Sequence, residues 1–97
     1  MRLRWTEPAA QDLDKIEAYI SRENSPIVAI NIVLDVIETV EKILPGHPRA
    51  GRIGRVTGTR ELVIDRTPFV VVYREIGTDQ VQILRVLHDA QQWPSMD

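Results

Sequence analysis

"PFVVVYREIGTDQVQILRVLH", residues 68–88, decides the fold. Its first part, "FVVVYRE" (69–75), is apolar at odd and even positions alike. Successive side chains of a strand point to opposite faces, so this strand has to be covered on both sides and belongs in the middle of a sheet. "QVQILRVLH" (80–88) follows across the short link "GTD", and "TRELVID" (59–65) precedes across "RTP". Links of that length make hairpins, which sets three antiparallel strands side by side. Arg60, Leu62 and Ile64 share one face of the first, with Glu61, Val63 and Asp65 on the other. In the last strand regular alternation groups Val81, Ile83, Arg85 and Leu87 against Leu84, Val86 and His88.

Upstream the period changes from two to that of a helix. Thr6, followed by Glu7 and Pro8, is an N-cap with proline in the first turn. Ala9, Leu13, Ile16 and Ile20 then recur at helical spacing, with Asp12, Asp14, Lys15 and Glu17 on the other side, which predicts an amphipathic helix to about residue 23. Ser25-Pro26 repeats the start signal. Ile30, Val33, Leu34, Ile37, Val40 and Leu44, widened by Ile27, Val36 and Ile43, form the stripe of a second helix that stops at Pro45-Gly46. The tight break between the two predicts an antiparallel hairpin. "PGHPRAGRIGRVTG" (45–58) holds four glycines and two prolines and is read as loop. "LRW" (3–5) is a short first strand, expected to pair with the last one because the middle strand already has two neighbours.

The expected fold class is therefore α+β: a two-layer β-α-α-β-β-β domain over residues 1–97, its antiparallel helix hairpin packed on a mainly antiparallel four-stranded sheet.

Composition narrows the function. The 97 residues contain no cysteine, which removes disulfides, thiolate metal sites and a thiol nucleophile. His47 and His88 are far apart in the chain, and neither a metal nor another cofactor is expected. "MRLRWTEP" lacks the apolar core of a signal peptide, and no apolar run approaches the roughly 20 residues of a membrane span; a soluble, cytoplasmic protein with no membrane partner is expected. Net charge is −2, yet the charges are unevenly placed. Residues 1–44 carry five basic and eight acidic side chains, whereas 45–66 carry five arginines against Glu61 and Asp65. That pattern argues against a general nucleic-acid binder and permits a local site for phosphate or an acidic partner.

"WTEPAAQDLDKIEAYI", "PRAGRIGRVTGTRELVI", "PFVVVYRE" and "VQILRVLHDAQQWP", in that order, resemble the RelE/ParE superfamily, the toxin halves of bacterial type II toxin-antitoxin modules. The likeness runs from Trp5 to Pro94. It implies a toxin neutralised by a cognate antitoxin protein, and one of two activities. The RelE-like branch cuts messenger RNA on the ribosome, which requires a base for the ribose 2′-OH, an acid for the leaving oxygen and cations for the phosphate. The ParE-like branch keeps the fold without that set and poisons DNA gyrase by binding.

For the ribonuclease, the resemblance offers Arg60, Arg85 and His88, with Tyr73 and Glu61 as weaker candidates. Three positions separate Arg85 from His88, so a regular strand turns them to opposite faces and only a bend or bulge brings them together. The lysines some nuclease members use are missing: Lys15 and Lys42 are the only two, and both fall in helices. The long hairpin over 7–44 and the ending "VLHDAQQWP" look more like the ParE branch.

Each candidate also has a structural role open to it. Arg60 suits a loop carbonyl, a mid-strand Arg85 suits an ion pair, and His88 suits a cap at a strand end. Trp5 and Trp93 are read as hydrophobic anchors, Trp93 at the edge of the core. Antitoxins of this class resemble acidic or amphipathic segments that fold on binding. Arg49, Arg52, Arg55 and Arg60, together with any uncovered sheet face, are the expected docking surface.

Overall fold

The computed structural model describes residues 1–94. In chain order the elements are β1 (Arg2–Trp5), α1 (Glu7–Glu23), α2 (Pro26–Ile43), β2 (Arg52–Ile53), β3 (Arg60–Val63), β4 (Phe69–Ile76) and β5 (Gln80–His88). The sheet order is β1-β5-β4-β3-β2, with β1 parallel to β5 and the other pairs antiparallel. The expected α+β hairpin-on-sheet architecture is present. It has five strands rather than four because Arg52 and Ile53, inside the stretch read as loop, pair with Glu61 and Arg60.

Both helix starts follow from their caps. Thr6 Oγ1 accepts from the Ala9 N–H at 3.3 Å, and Ser25 Oγ accepts from Val28 N–H at 3.2 Å, each satisfying a donor that the first turn leaves open. Thr6 does more than cap. Its hydroxyl lies 2.7 Å from Ile83 O, so the start of α1 is fastened to β5 where β1 ends.

The main core lies between the hairpin and the sheet, where Ala9, Val36, Val40, Leu44, Val71 and Ile83 are fully enclosed. The apolar stripe of α2 is displaced from its expected line. Ala29, Val36 and Val40 are its buried residues, while Ile27, Ile30 and Leu34 face outward, because 18 residues of α2 carry more apolar positions than one helix face can bury.

A β-bulge changes the phase of β5. Val72 stands opposite Arg85 but Tyr73 stands opposite Ile83, leaving Leu84 as the extra residue. Val81 and Ile83 face the helices before the bulge; after it Val86 does, and Leu87 joins Val70 and Val72 on the outer face. The expected grouping of Arg85 and Leu87 with Ile83 is thereby corrected. Regular alternation would have driven Arg85 into the helix-side core, an arrangement a charged group resists. The bulge delivers Val86 there instead.

Candidate functional site

Two ionic clusters sit on the end of the sheet remote from the β4–β5 turn, and both involve arginines singled out in the sequence. The first is built on Glu61. β3 places its side chain on the outer face, with only 1% of it exposed. Arg52 on β2 is its cross-strand partner, Nη2 to Oε1 at 3.0 Å. Arg55 donates its backbone N–H to Oε2 at 3.0 Å and brings Nε to within 3.3 Å of the same oxygen. Burial alone would raise the Glu61 pKa. The Arg55 N–H, the Arg52 hydrogen bonds and the two guanidinium charges outweigh it and hold the carboxyl below its ordinary value.

The same two guanidiniums reach the segment that follows β5. Arg52 Nη2 is 3.1 Å from Asp89 Oδ1, and Arg55 donates to the carbonyls of Gln91 at 3.0 Å and Asp89 at 3.4 Å. Residues 89–94 are thus tied across the outer face. There Trp93 packs on Val70, Val72 and Leu87.

The second cluster is an Asp12–Arg85 fork. Arg85 Nε and Nη2 meet Asp12 Oδ2 and Oδ1 at 2.7 and 3.0 Å, and Val86 N–H donates to Oδ2 at 3.0 Å. β1 stops at Trp5, so beyond Ile83 the flank of β5 is an open edge. The Asp12 carboxylate covers it, satisfying a backbone donor that would otherwise be buried unpaired. The hydrogen bond to Asp12 raises the Arg85 pKa, so the guanidinium is permanently charged. Its carbon also lies 5.4 Å from the Trp93 ring centre, within cation–π reach. Arg85 therefore clasps α1 to the segment that follows β5, around the sheet's edge.

His88 is exposed beside this fork. Its ring meets Phe69 edge-on at 6.0 Å, and Nδ1 accepts from Ala90 N–H at 3.1 Å. Asp12, Lys15, Tyr19, Phe69, Arg85 and His88 line a cleft of 330 Å³ between α1 and the β5 edge. Arg85 and His88 leave the strand on opposite faces, as three residues of strand require, and meet in this cleft only because Arg85 is long enough to pass round the edge.

Arg60 is elsewhere. It stands opposite Tyr73 on the helix-facing side and donates to Gly51 O at 2.9 Å. Tyr73 is fully buried and pins the 45–58 segment: its hydroxyl donates to Pro48 O and accepts from Gly51 N–H, both at 2.8 Å. Burial pushes its phenol pKa up and keeps the donor proton in place. Gly51 is required here, since a Cβ would fall 2.8 Å from the Tyr73 ring and from Glu61 O. Arg49 is 79% exposed at the side chain and only 4.0 Å from the Glu75 carboxylate. The structure so brings Arg52 and Arg55 together, sets Arg85 with His88, and leaves Arg60 and Arg49 apart from both pairs.

Residues 3–93 match the family described as the ParE toxin of the type II toxin-antitoxin system, parDE. The chain belongs to the ParE toxin family. Among its relatives is "Putative toxin Y4kP" of Sinorhizobium fredii, 42% identical over 95 residues that span 98% of this chain and 95% of that protein. A solved structure described as the chromosomal ParDE TA system from P. aeruginosa is similar at 36% identity and a TM-score of 0.81, covering 89% of this chain and 92% of that one.

In this ParE-family chain, sequence reasoning missed two acidic residues that organise the arginines. Asp12 was placed on the polar side of α1, yet it is buried. The signal was present: Ala9, Asp12, Leu13 and Ile16 are spaced i, i+3, i+4, i+7, which puts Asp12 inside the apolar stripe. Asp89 carried no such signal, because its partners are 34 and 37 positions away.

Proposed function

We propose that this protein is a growth-inhibiting toxin that acts in the cytoplasm by binding and poisoning DNA gyrase, and that a cognate antitoxin encoded beside it holds it inactive. The antitoxin half rests on membership of the ParE toxin family. The gyrase half is a reading by binding rather than by catalysis.

The observation that carries it is the state of the three ribonuclease candidates. A general acid, a general base and a phosphate clamp must converge on one scissile bond to act. Arg85 has its fork closed on Asp12, Arg60 is spent on the Gly51 carbonyl at the far side of β4, and His88 Nδ1 is occupied by Ala90 N–H. Such a set supports a binding protein better than a nuclease.

The test compares both activities with one purified toxin. Inhibition of gyrase supercoiling and accumulation of gyrase-linked double-strand breaks are expected. Unaffected gyrase at excess toxin, with ribosome-dependent message cleavage in its place, would overturn the reading in favour of a RelE-like mRNA endoribonuclease. In cells, expression without the antitoxin should induce the DNA-damage response before any block of translation. Absence of growth arrest would point to a toxin that serves only in a complex with its antitoxin.

The docking surface proposed for that antitoxin is the outer sheet face with Arg52 and Arg55, together with Arg49 and Arg60, which lie toward the helix-facing side beside Glu75 and Tyr73. A positive rim around an apolar strip suits an acidic amphipathic segment that folds as it binds.

A further inference from the structure

Ile27, Ile30 and Leu34 of α2 are 69%, 47% and 46% exposed. Spaced i, i+3, i+7, they stand one above another as a ridge along the outward side of the helix. Residues 25–34, "SPIVAINIVL", carry no charge. Immediately beside the ridge is a hollow: Glu17, Ala18 and Ser21 of α1 with Pro26 and Ile30 of α2 line a depression of 240 Å³ between the two helices. Its α1 wall is low because alanine and serine are small, which leaves room for a branched aliphatic side chain.

A ridge and a hollow side by side make a self-complementary surface. Two copies related by a two-fold axis can each set the ridge of one into the hollow of the other. Charge selects the antiparallel arrangement. Past Leu34 the outward side of α2 turns acidic, with Asp35, Glu38 and Glu41 all exposed. Its N-terminal turn holds no acidic residue and follows Arg22 in the last turn of α1. Glu23, the acid at that end, lines the opposite side, toward Pro68 and His88. A helix N-terminus carries roughly half a positive charge. Parallel copies would set their acidic halves against each other, whereas antiparallel copies bring Glu38 of each to the N-terminal end of the other's α2.

We infer that the outward face of the α1–α2 hairpin is a homodimer interface, in which the Ile27–Ile30–Leu34 ridge of each copy seats in the Ala18–Ser21 hollow of the other. Matching Ile27 to Leu34 of the second copy places the axis between Ile30 and Asn31. The two Asn31 amides then meet, donor to acceptor, and fix the register. A face about 27 Å long and two helices, or about 20 Å, wide approaches the roughly 800 Å² per partner that a specific dimer buries. This surface lies on the other layer from the sheet arginines, so the inference is independent of the gyrase reading.

Sedimentation equilibrium of the full-length toxin across the micromolar range tests it. The average mass should rise from one chain to two with concentration. Leu34→Lys, a change at a position exposed in the single copy, should keep the native circular dichroism and move that rise to about tenfold higher concentration or beyond. A toxin that stays monomeric, or a variant that dimerises like the wild type, overturns the inference. So does a monomeric toxin in which residues 27–34 gain protection from hydrogen exchange only when the antitoxin or gyrase is added, since the face then belongs to that partner. Because the chain has no cysteine, single replacements report the register. Under mild oxidation Asn31→Cys should give a covalent dimer, and Ile27→Cys should link to Leu34→Cys in a mixture in preference to itself. Preferential self-linking of Ile27→Cys would mean a parallel pair and overturn the antiparallel arrangement.

Discussion

The two faces of the sheet are covered by different means. Against one lie 35 residues of amphipathic helix, 17 in α1 and 18 in α2, enclosing a core that includes Val36, Val40, Leu44, Val71, Tyr73 and Ile83. Against the other lie residues 89–94, held by Arg52 and Arg55, by the Asp89 N–H on Pro68 O, and by one indole against Arg85. The first face is sealed by area removed from water, which involves no titratable group and is not subject to charge screening. The second is sealed by charge and a single aromatic, which are sensitive to both. One face can serve stability and the other can afford exchange.

The comparison breaks first at Tyr73. It fills the helix-side core and anchors the 45–58 segment through two 2.8 Å hydrogen bonds, so Tyr73→Ala opens a cavity and frees a loop at once. A loss of about 4 kcal/mol is expected, readable in urea unfolding followed by far-ultraviolet circular dichroism. Trp93→Ala, which removes a larger side chain from the outer face, should cost less than that. Equal costs would mean the two faces are equally structural.

Next comes Asp12→Ala, with an expected loss of about 3 kcal/mol. Three donors lose their acceptor together: Arg85 Nε, Arg85 Nη2 and Val86 N–H. Because Arg85 links α1 to the indole of Trp93, this variant should loosen both faces. Asp12→Asn, which keeps an acceptor but no charge, should recover part of the loss. A shift in unfolding midpoint no larger than that of a surface substitution would show that the fork is incidental.

How much of this was legible in the sequence depends on the range of the interaction. Helices announced themselves through Thr6, Ser25 and a 3.6-residue period, and β4 through apolarity on both faces over residues 69–73, all within a window of a few residues. The bulge at Leu84 had no such mark. It lies in the run Ile83-Leu84 with no glycine or proline, and it is chosen by the cost of burying Arg85 on the helix side, a tertiary matter. β2 was hidden for the same reason: two residues between glycines become a strand through their pairing with Glu61 and Arg60. Candidate residues were therefore easier to find than their partners. Arginines at 49, 52, 55, 60 and 85 are visible in the sequence, but which of them is already taken depends on Asp12, Glu61 and Asp89.

Glu61 gives the pH test of the comparison. Its folded pKa is held below the ordinary 4.5, so it contributes stability that is complete above that value and lost as pH falls through the lower folded one. The outer face should therefore loosen below about pH 4.5 while the helix-side core, sealed by apolar contacts, persists to lower pH. Red-shifted tryptophan emission in a Trp5→Phe background, preceding loss of helical circular dichroism, is the expected order. Glu61→Gln should abolish that separation and cost about 2 kcal/mol at neutral pH, since two guanidiniums keep only a neutral acceptor. Coincident transitions in the wild type would place Glu61 in the same cooperative unit as the core.

The smallest effect is expected at Arg49. Its side chain is 79% exposed and its guanidinium 4.0 Å from Glu75, a distance at which a screened pair contributes less than about 0.5 kcal/mol. Arg49→Ala should leave the unfolding midpoint of the free toxin within error, whereas Arg52→Ala, which strips two contacts from Glu61 and one from Asp89, should not. That indifference makes Arg49 informative. Any loss of antitoxin affinity in Arg49→Ala reports a contact made by the partner, uncontaminated by a change in the fold. If affinity and stability are both unmoved, the docking surface stops at Arg52 and the apolar strip over Val70, Val72 and Leu87 is its centre.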